Sequence, residues 1–122
     1  MPKINVRDAD SYIEHRRDFT TPSISGTNGS TDTGRLPVEW AELYRRLAAE
    51  GRISYTVRSY ATPIGWDMVD ANGETVSVVP DVRYSPTTSQ HQSMTKHGFG
   101  RVFFETFEVA RDEAYSEGYL PR

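Results

Sequence analysis

Between Ile53 and Val78 apolar side chains return at every second position, in three runs separated by two interruptions. Ile53, Tyr55 and Val57 alternate with Ser54, Thr56 and Arg58. Ile64, Trp66 and Met68 make the second run, Val76 and Val78 the third. Successive side chains of a strand point to opposite faces, so this period of two predicts strands with one apolar and one polar face. Ala61-Thr62-Pro63 forms the first interruption, because proline lacks the N–H that a ladder requires. Asp70-Ala71-Asn72-Gly73 forms the second, and Asn-Gly accommodates the positive φ of a type I′ hairpin turn. Pro80 ends the third run, and Val82-Arg83-Tyr84 reads as a short extended link. The expectation is a three-stranded antiparallel sheet whose one greasy side gathers Ile53, Val57 and Trp66.

Helical patterns surround this sheet. The best covers residues 36–50: Trp40, Leu43, Tyr44, Leu47 and Ala48 share one face, with Pro37 at the first helical position and Gly51 just past the end. Glu42 and Arg46 are spaced to pair on its outside. Ser85-Pro86 opens a second helix, serine as cap and proline at its first position, that Gly98 and Gly100 end. It is unusually polar, since Met94 is the one clearly apolar residue of 87–97. Residues 101–117 form a third pattern, with Phe103, Phe107, Ala110 and Ala114 on one face, widened by Phe104 and Val109, and acids outside. Residues 8–18 allow a short helix with Asp8 as its cap and little more than Tyr12 and Ile13 to bury. Two to four helices packed on the sheet make an α+β fold.

Residues 20–34 are rich in Ser, Thr and Gly and lack the apolar content to order themselves, so they read as a loop or an arm along the domain. Asn28-Gly29 has turn chemistry, but its flanks do not alternate. The division that follows is an N-terminal helix and irregular arm over 1–35 and one α+β domain over 36–122. A chain of 122 residues suits one modest core covering roughly 60–70% of its unfolded surface. The formal net charge of -3 argues against a protein that coats DNA with a basic face. No cysteine is present, which removes disulfides, thiolate catalysis and cysteine zinc sites. With no apolar leader pattern and no run approaching about 20 apolar residues, the reading is a soluble protein with no membrane partner.

Ser59-Tyr60-Ala61-Thr62-Pro63-Ile64-Gly65-Trp66, followed by Tyr84-Ser85-Pro86-Thr87-Thr88-Ser89-Gln90-His91-Gln92, resembles a family of small proteins encoded by actinobacteria and especially by their bacteriophages. Members read "SYGTPIAW", then a short hairpin, then "YSVTTSRHQ". A patch like Phe19-Thr20-Thr21-Pro22-Ser23-Ile24-Ser25-Gly26 recurs upstream as a phenylalanine and a small-residue run. The likeness spans about residues 19–98. Ala61 replaces glycine, Gly65 replaces alanine, and Pro86 departs from the second motif. The family carries no known function. The resemblance therefore implies a bacteriophage origin and a place in the host cytoplasm, and transfers no catalytic role.

The polar set Ser59, Tyr60, Thr62, Trp66, Tyr84, Thr87, Thr88, Ser89, His91 and Gln92, with Arg58 or Arg83 beside it, is the main binding candidate. A helix N-terminus offers free N–H groups to a phosphate, a nucleotide or a peptide carboxylate. The plainer reading is that these residues cap the helix and satisfy the hairpin backbone, the commonest work of Ser and Thr at such places. The two motifs sharing a concave surface favours a ligand; side chains engaged with backbone groups favour scaffolding. His91 with Ser89 or Ser93 is a weaker candidate for a nucleophile and base, since no orienting acid or G-x-S-x-G elbow accompanies it. His15, His91 and His97 lack metal-ligand spacing, so no metal and no cofactor are expected. The aromatics Phe103, Phe104, Phe107 and Tyr115, with Trp40 and Tyr44, read first as core and second as a homodimer or host-protein interface. The leading functional expectation is a non-enzymatic phage accessory protein that binds a host or phage macromolecule. The alternative is nucleic-acid or nucleotide binding near Thr87–Ser89, with Tyr60 or Trp66 stacking and Arg58, Arg83, Lys96 and Arg101 meeting phosphate.

Overall fold

The computed structural model describes residues 2–27, 32–100 and 106–115. A 3-10 turn (Val6–Asp8) leads into α1 (Ala9–Glu14), followed by β1 (Phe19–Thr20), β2 (Ile24–Thr27), α2 (Val38–Ala49), β3 (Ile53–Ser59), β4 (Thr62–Val69), β5 (Thr75–Val78), α3 (Pro86–Phe99) and α4 (Phe107–Tyr115). The class is α+β, but the sheet has five strands and not three, antiparallel throughout in the order β1-β2-β3-β4-β5. The two added strands come from the stretch read as a loop, residues 20–34, and from Phe19 just before it. Ile24 and Gly26 are buried while Ser25 and Thr27 are half-buried, a weak alternation that composition hides. Gly26 is required there, because a Cβ would collide with the Tyr55 hydroxyl and the Phe19 ring. The Thr20 N–H donates to the Pro2 carbonyl and the Ile4 N–H to the Thr20 carbonyl, so the first residues pair along the outer edge of β1.

Both faces of the sheet are covered. Trp66, Met68 and Val78 pack against Trp40, Tyr44 and Leu47 of α2 and against Ala110 and Ala114 of α4. Tyr55, Val57, Ile64 and Val79 pack against Ala9 and Ile13 of α1 and Phe99 of α3. The single greasy side that was expected to gather Ile53, Val57 and Trp66 is therefore split: Val57 lies on the α1/α3 face and Trp66 on the α2/α4 face. Two bulges account for the broken alternation. Ile53 opposes Met68 and Tyr55 opposes Asp67, leaving Ser54 as an extra residue; Val57 opposes Gly65 and Arg58 opposes Pro63, leaving Ile64 extra. Pro63 is tolerated beside that second bulge, beyond the end of the β4–β5 ladder. The expected polar members Thr56 and Arg58 are buried because both bond the Tyr44 hydroxyl, at 2.7 and 3.0 Å.

The turn at Asn72 is not type I′. Among its residues the positive φ belongs to Gly73, the Gly73 N–H donates to the Asp70 carbonyl, and Asp70 pairs with Glu74. This is a three-residue loop, a type I turn followed by a left-handed glycine. The Asp70 carboxylate secures it by accepting from the N–H groups of Asn72 and Glu74.

Polar α3 packs without an apolar stripe because two glycines let it come close. A Cβ on Gly65 of β4 would stand 2.7 Å from Thr95, and one on Gly98 would stand 2.7 Å from Ile13. Gly98 thus lies inside α3 and opens a path for α1, while Gly100 makes the stop at φ 77. Asp8 makes no side-chain cap to α1. α2 begins at Val38 with Pro37 just before it, and Arg46 pairs with Glu50 in place of the expected Glu42. Phe107 meets the Trp40 ring edge-on at 5.6 Å, in keeping with a core role, whereas Phe103, Phe104, Arg101 and the Asn28-Gly29 turn lie outside the described residues. No described helix is long and apolar enough to cross a membrane.

Candidate functional site

The first motif builds the tip of the β3–β4 hairpin. Ser59 pairs with Thr62, so Tyr60 and Ala61 alone make the turn. Tyr60 takes φ 57, a left-handed conformation that bulky side chains rarely adopt, and the residue remains 63% exposed. The Tyr60 N–H donates to the Ser23 carbonyl at 2.6 Å, which ties the tip to the β1–β2 turn. Thr62 is engaged inward: its hydroxyl accepts from the Arg35 N–H at 2.8 Å. Gly34, at φ 48, lies against this spot, and a Cβ there would stand 2.7 Å from the Ala61 carbonyl.

The second motif builds the start of α3. Ser85 Oγ accepts from the Thr88 N–H at 3.2 Å, and Pro86 has no N–H to offer. The cap takes the Thr88 N–H and the Ser85 carbonyl takes that of Ser89, which leaves the Thr87 N–H and the exposed Thr87 and Ser89 hydroxyls at the helix start. Gln92 is likewise committed, donating to the Val82 carbonyl at 3.0 Å.

Beneath the tip the two motifs meet. His91 is 3% exposed and lies between two serines, Nδ1 at 2.8 Å from Ser59 Oγ and Nε2 at 3.3 Å from Ser23 Oγ. Ser59 Oγ also meets Thr88 Oγ1 at 3.0 Å. Burial holds the His91 pKa below the ordinary value of 6.5, so the ring is neutral near pH 7. A neutral imidazole has one donor and one acceptor, which suits a hydroxyl on each side. The serines that His91 bonds are Ser59 and Ser23, not Ser89 or Ser93, which lie exposed on α3. Ser59 is itself only 2% exposed, and no carboxylate bonds His91 among the described residues. The network pins β2, β3 and α3 to one another.

Above it lies an open cleft of about 740 Å³. The first motif contributes Ser59, Tyr60, Ala61 and Thr62, and the second contributes Tyr84, Ser85 and Thr88; the two motifs share one concave surface. Gly34, Arg35, Val82 and Arg83 complete the lining. A second cleft of about 430 Å³ lies across the Val82–Tyr84 link and reaches Ser89 and Lys96. Two expected members are elsewhere. Arg58 is buried towards α2, and Trp66 is fully buried between the Trp40 and Tyr44 rings, at 5.8 and 5.0 Å. Strand alternation is the cause, since both side chains leave the sheet on the α2 side. Thr87 is exposed and lines neither cleft. Arg35 was missed, because nothing in its spacing links it to either motif; only the folding back of residues 32–35 onto Thr62 brings it there.

Among the described residues no group of three or more His, Asp or Glu side chains is placed to hold a metal ion. His97 meets Asp10 at 3.0 Å, and His15 meets the Ser11 carbonyl in its own helix. Comparison with family models, with curated proteins and with solved structures finds no match to this chain.

Proposed function

We propose that this chain is a non-enzymatic accessory protein of actinobacteriophage origin that works in the host cytoplasm by binding a host or phage macromolecule, with the hairpin-tip cleft as its contact surface. The origin rests on the two motifs. The binding role rests on one observation: the inner half of the motif set is committed to the Ser23–His91–Ser59–Thr88 network, while the outer half rims an open cleft with an exposed, strained tyrosine at its lip. A bulky residue at positive φ costs about 1–2 kcal/mol, a cost that protein surfaces retain most often where the side chain is used. The buried Ser59–His91 pair favours scaffolding over catalysis, because a nucleophile must be reached by its substrate and its base must be oriented. Nucleotide binding is the second reading, favoured by the two arginines of the cleft and the Tyr60 ring.

A photocrosslinking amino acid in place of Tyr60 tests the proposal in host cells, with one in place of Val38 as the control on an exposed site of α2. A discrete adduct at position 60 and none at 38 is the expected outcome. The same background adducts at both positions would refute a contact surface at the tip.

A further inference from the structure

The cleft carries a one-sided chemistry. None of its lining residues is acidic, although the chain has 17 Asp and Glu against 14 Lys and Arg. It holds two of the three described arginines, Arg35 and Arg83 beside Arg7, whose guanidinium groups make no hydrogen bond, ion pair or ring contact among the described residues. Every other described arginine is engaged, such as Arg16 with Asp67, Arg52 with Glu50 and Arg58 with Tyr44. The Tyr84 hydroxyl is shielded from water and has no hydrogen-bond partner among the described residues. Burial raises its pKa above the ordinary 10, so it stays protonated. Among the described residues, the N–H groups of Asp81, Val82, Arg83 and Tyr84 make no backbone hydrogen bond either. The groups that the cleft leaves open are all donors, two planar cations and the main-chain N–H groups of Val82–Tyr84, while the exposed Asp81 carboxylate lines the neighbouring cleft. Such donors call for an acceptor-rich anion.

Resting on the binding role proposed above, we infer that the cleft takes a short acidic peptide segment of the partner, laid in extended form along the 82–84 link and clear of Asp81. Main-chain carbonyls of such a peptide match the N–H groups on one side of the link, alternate ones in an extended segment, as in strand addition to an unpaired edge. Its carboxylates match Arg35 and Arg83 bidentately, and alternate apolar side chains meet Val82, Ala61 and the Tyr60 ring. A nucleic-acid strand is the poorer fit. Its affinity comes from many phosphates meeting a basic stripe, whereas here the positive charge is local and the chain as a whole is acidic.

The probe is a short fluorescein-labelled peptide alternating Glu and Val, with a Gln-for-Glu copy as control, followed by anisotropy on the full chain. The acidic peptide should bind in the micromolar range and weaken with salt. Arg35→Gln and Arg83→Gln should each weaken it about tenfold, the scale of one charge-assisted hydrogen bond. Both side chains are exposed and unpartnered, so both variants should melt as the parent does. Equal binding of the Gln copy, unchanged affinity in both arginine variants, or tighter binding of adenosine monophosphate or oligothymidylate would each overturn the inference. Adducts at position 60 that persist while the acidic peptide is ignored would sink this inference and leave the binding role standing.

Discussion

Replacing Arg16 by alanine should destabilise the whole protein by about 2–3 kcal/mol. Arg16 follows α1 at φ 53, and its Nε donates to Asp67 Oδ2 at 2.6 Å. Asp67 lies on β4, only 5% exposed, and its other oxygen accepts from Ser77 of β5 at 2.7 Å. Removing one partner of a fully buried pair costs about 3–5 kcal/mol, because the remaining charge is stranded. The Arg16 side chain is 32% exposed and Ser77 still donates to the carboxylate, which lowers the figure. Loss of the guanidinium from over the Phe99 ring, 4.5 Å away, adds about 0.5–1 kcal/mol. The assay is urea unfolding of the parent, Arg16→Ala, Asp67→Asn and the double variant, read by circular dichroism and by fluorescence of the buried Trp40 and Trp66. The cycle should return a coupling of about 2 kcal/mol, and both probes should shift together. A coupling within about 0.5 kcal/mol of zero would refute the pair's role. A loss seen by one probe alone would show that α1 comes away by itself and is not part of the cooperative unit.

Gly98→Val should lower the melting temperature by several degrees, since about 1–3 kcal/mol of overpacking against Ile13 is forced where α1 crosses α3; an unchanged melt would contradict that close approach. Tyr60→Gly should leave stability within about 1 kcal/mol, the relief of positive φ offsetting the lost ring contacts and the extra freedom of glycine, while it abolishes peptide binding. A large loss of stability would instead make Tyr60 a packing residue. For His91 the folded pKa lies below the unfolded value of 6.5, so the unfolded chain takes the proton first. The stability it contributes is whole above about pH 6.5 and is lost as the pH falls from there towards the folded pKa. The urea midpoint of the parent should therefore drop more between about pH 7.5 and about pH 5.5 than that of His91→Gln, and identical drops would refute the shift.

Local pattern alone specified much of this protein. The three central strands, the amphipathic α2, the Ser85 cap with Pro86 behind it, and Gly51 as a stop are settled within a few residues by periodicity or dihedral preference, although Thr62 and Pro63, read as a break, open β4 and pair with Ser59 and Arg58. Whether the two motifs meet was a question the sequence raised and the fold answered, since Tyr60, Tyr84, Ser85 and Thr88 line one cleft. Other features depended on partners far along the chain. Ile24–Thr27 is a strand because β3 offers it an edge, and Gly26 fits only under the Tyr55 hydroxyl and the Phe19 ring. Trp66 and Arg58 left the candidate surface because bulges at Ser54 and Ile64 and a second helical layer decide which face each side chain takes. Arg35 joined it because residues 32–35 fold back onto Thr62. Hydrophobic period and turn chemistry act between neighbours and can be read from one stretch. Burial, pairing and charge placement are properties of two stretches brought together, and neither one carries the information by itself.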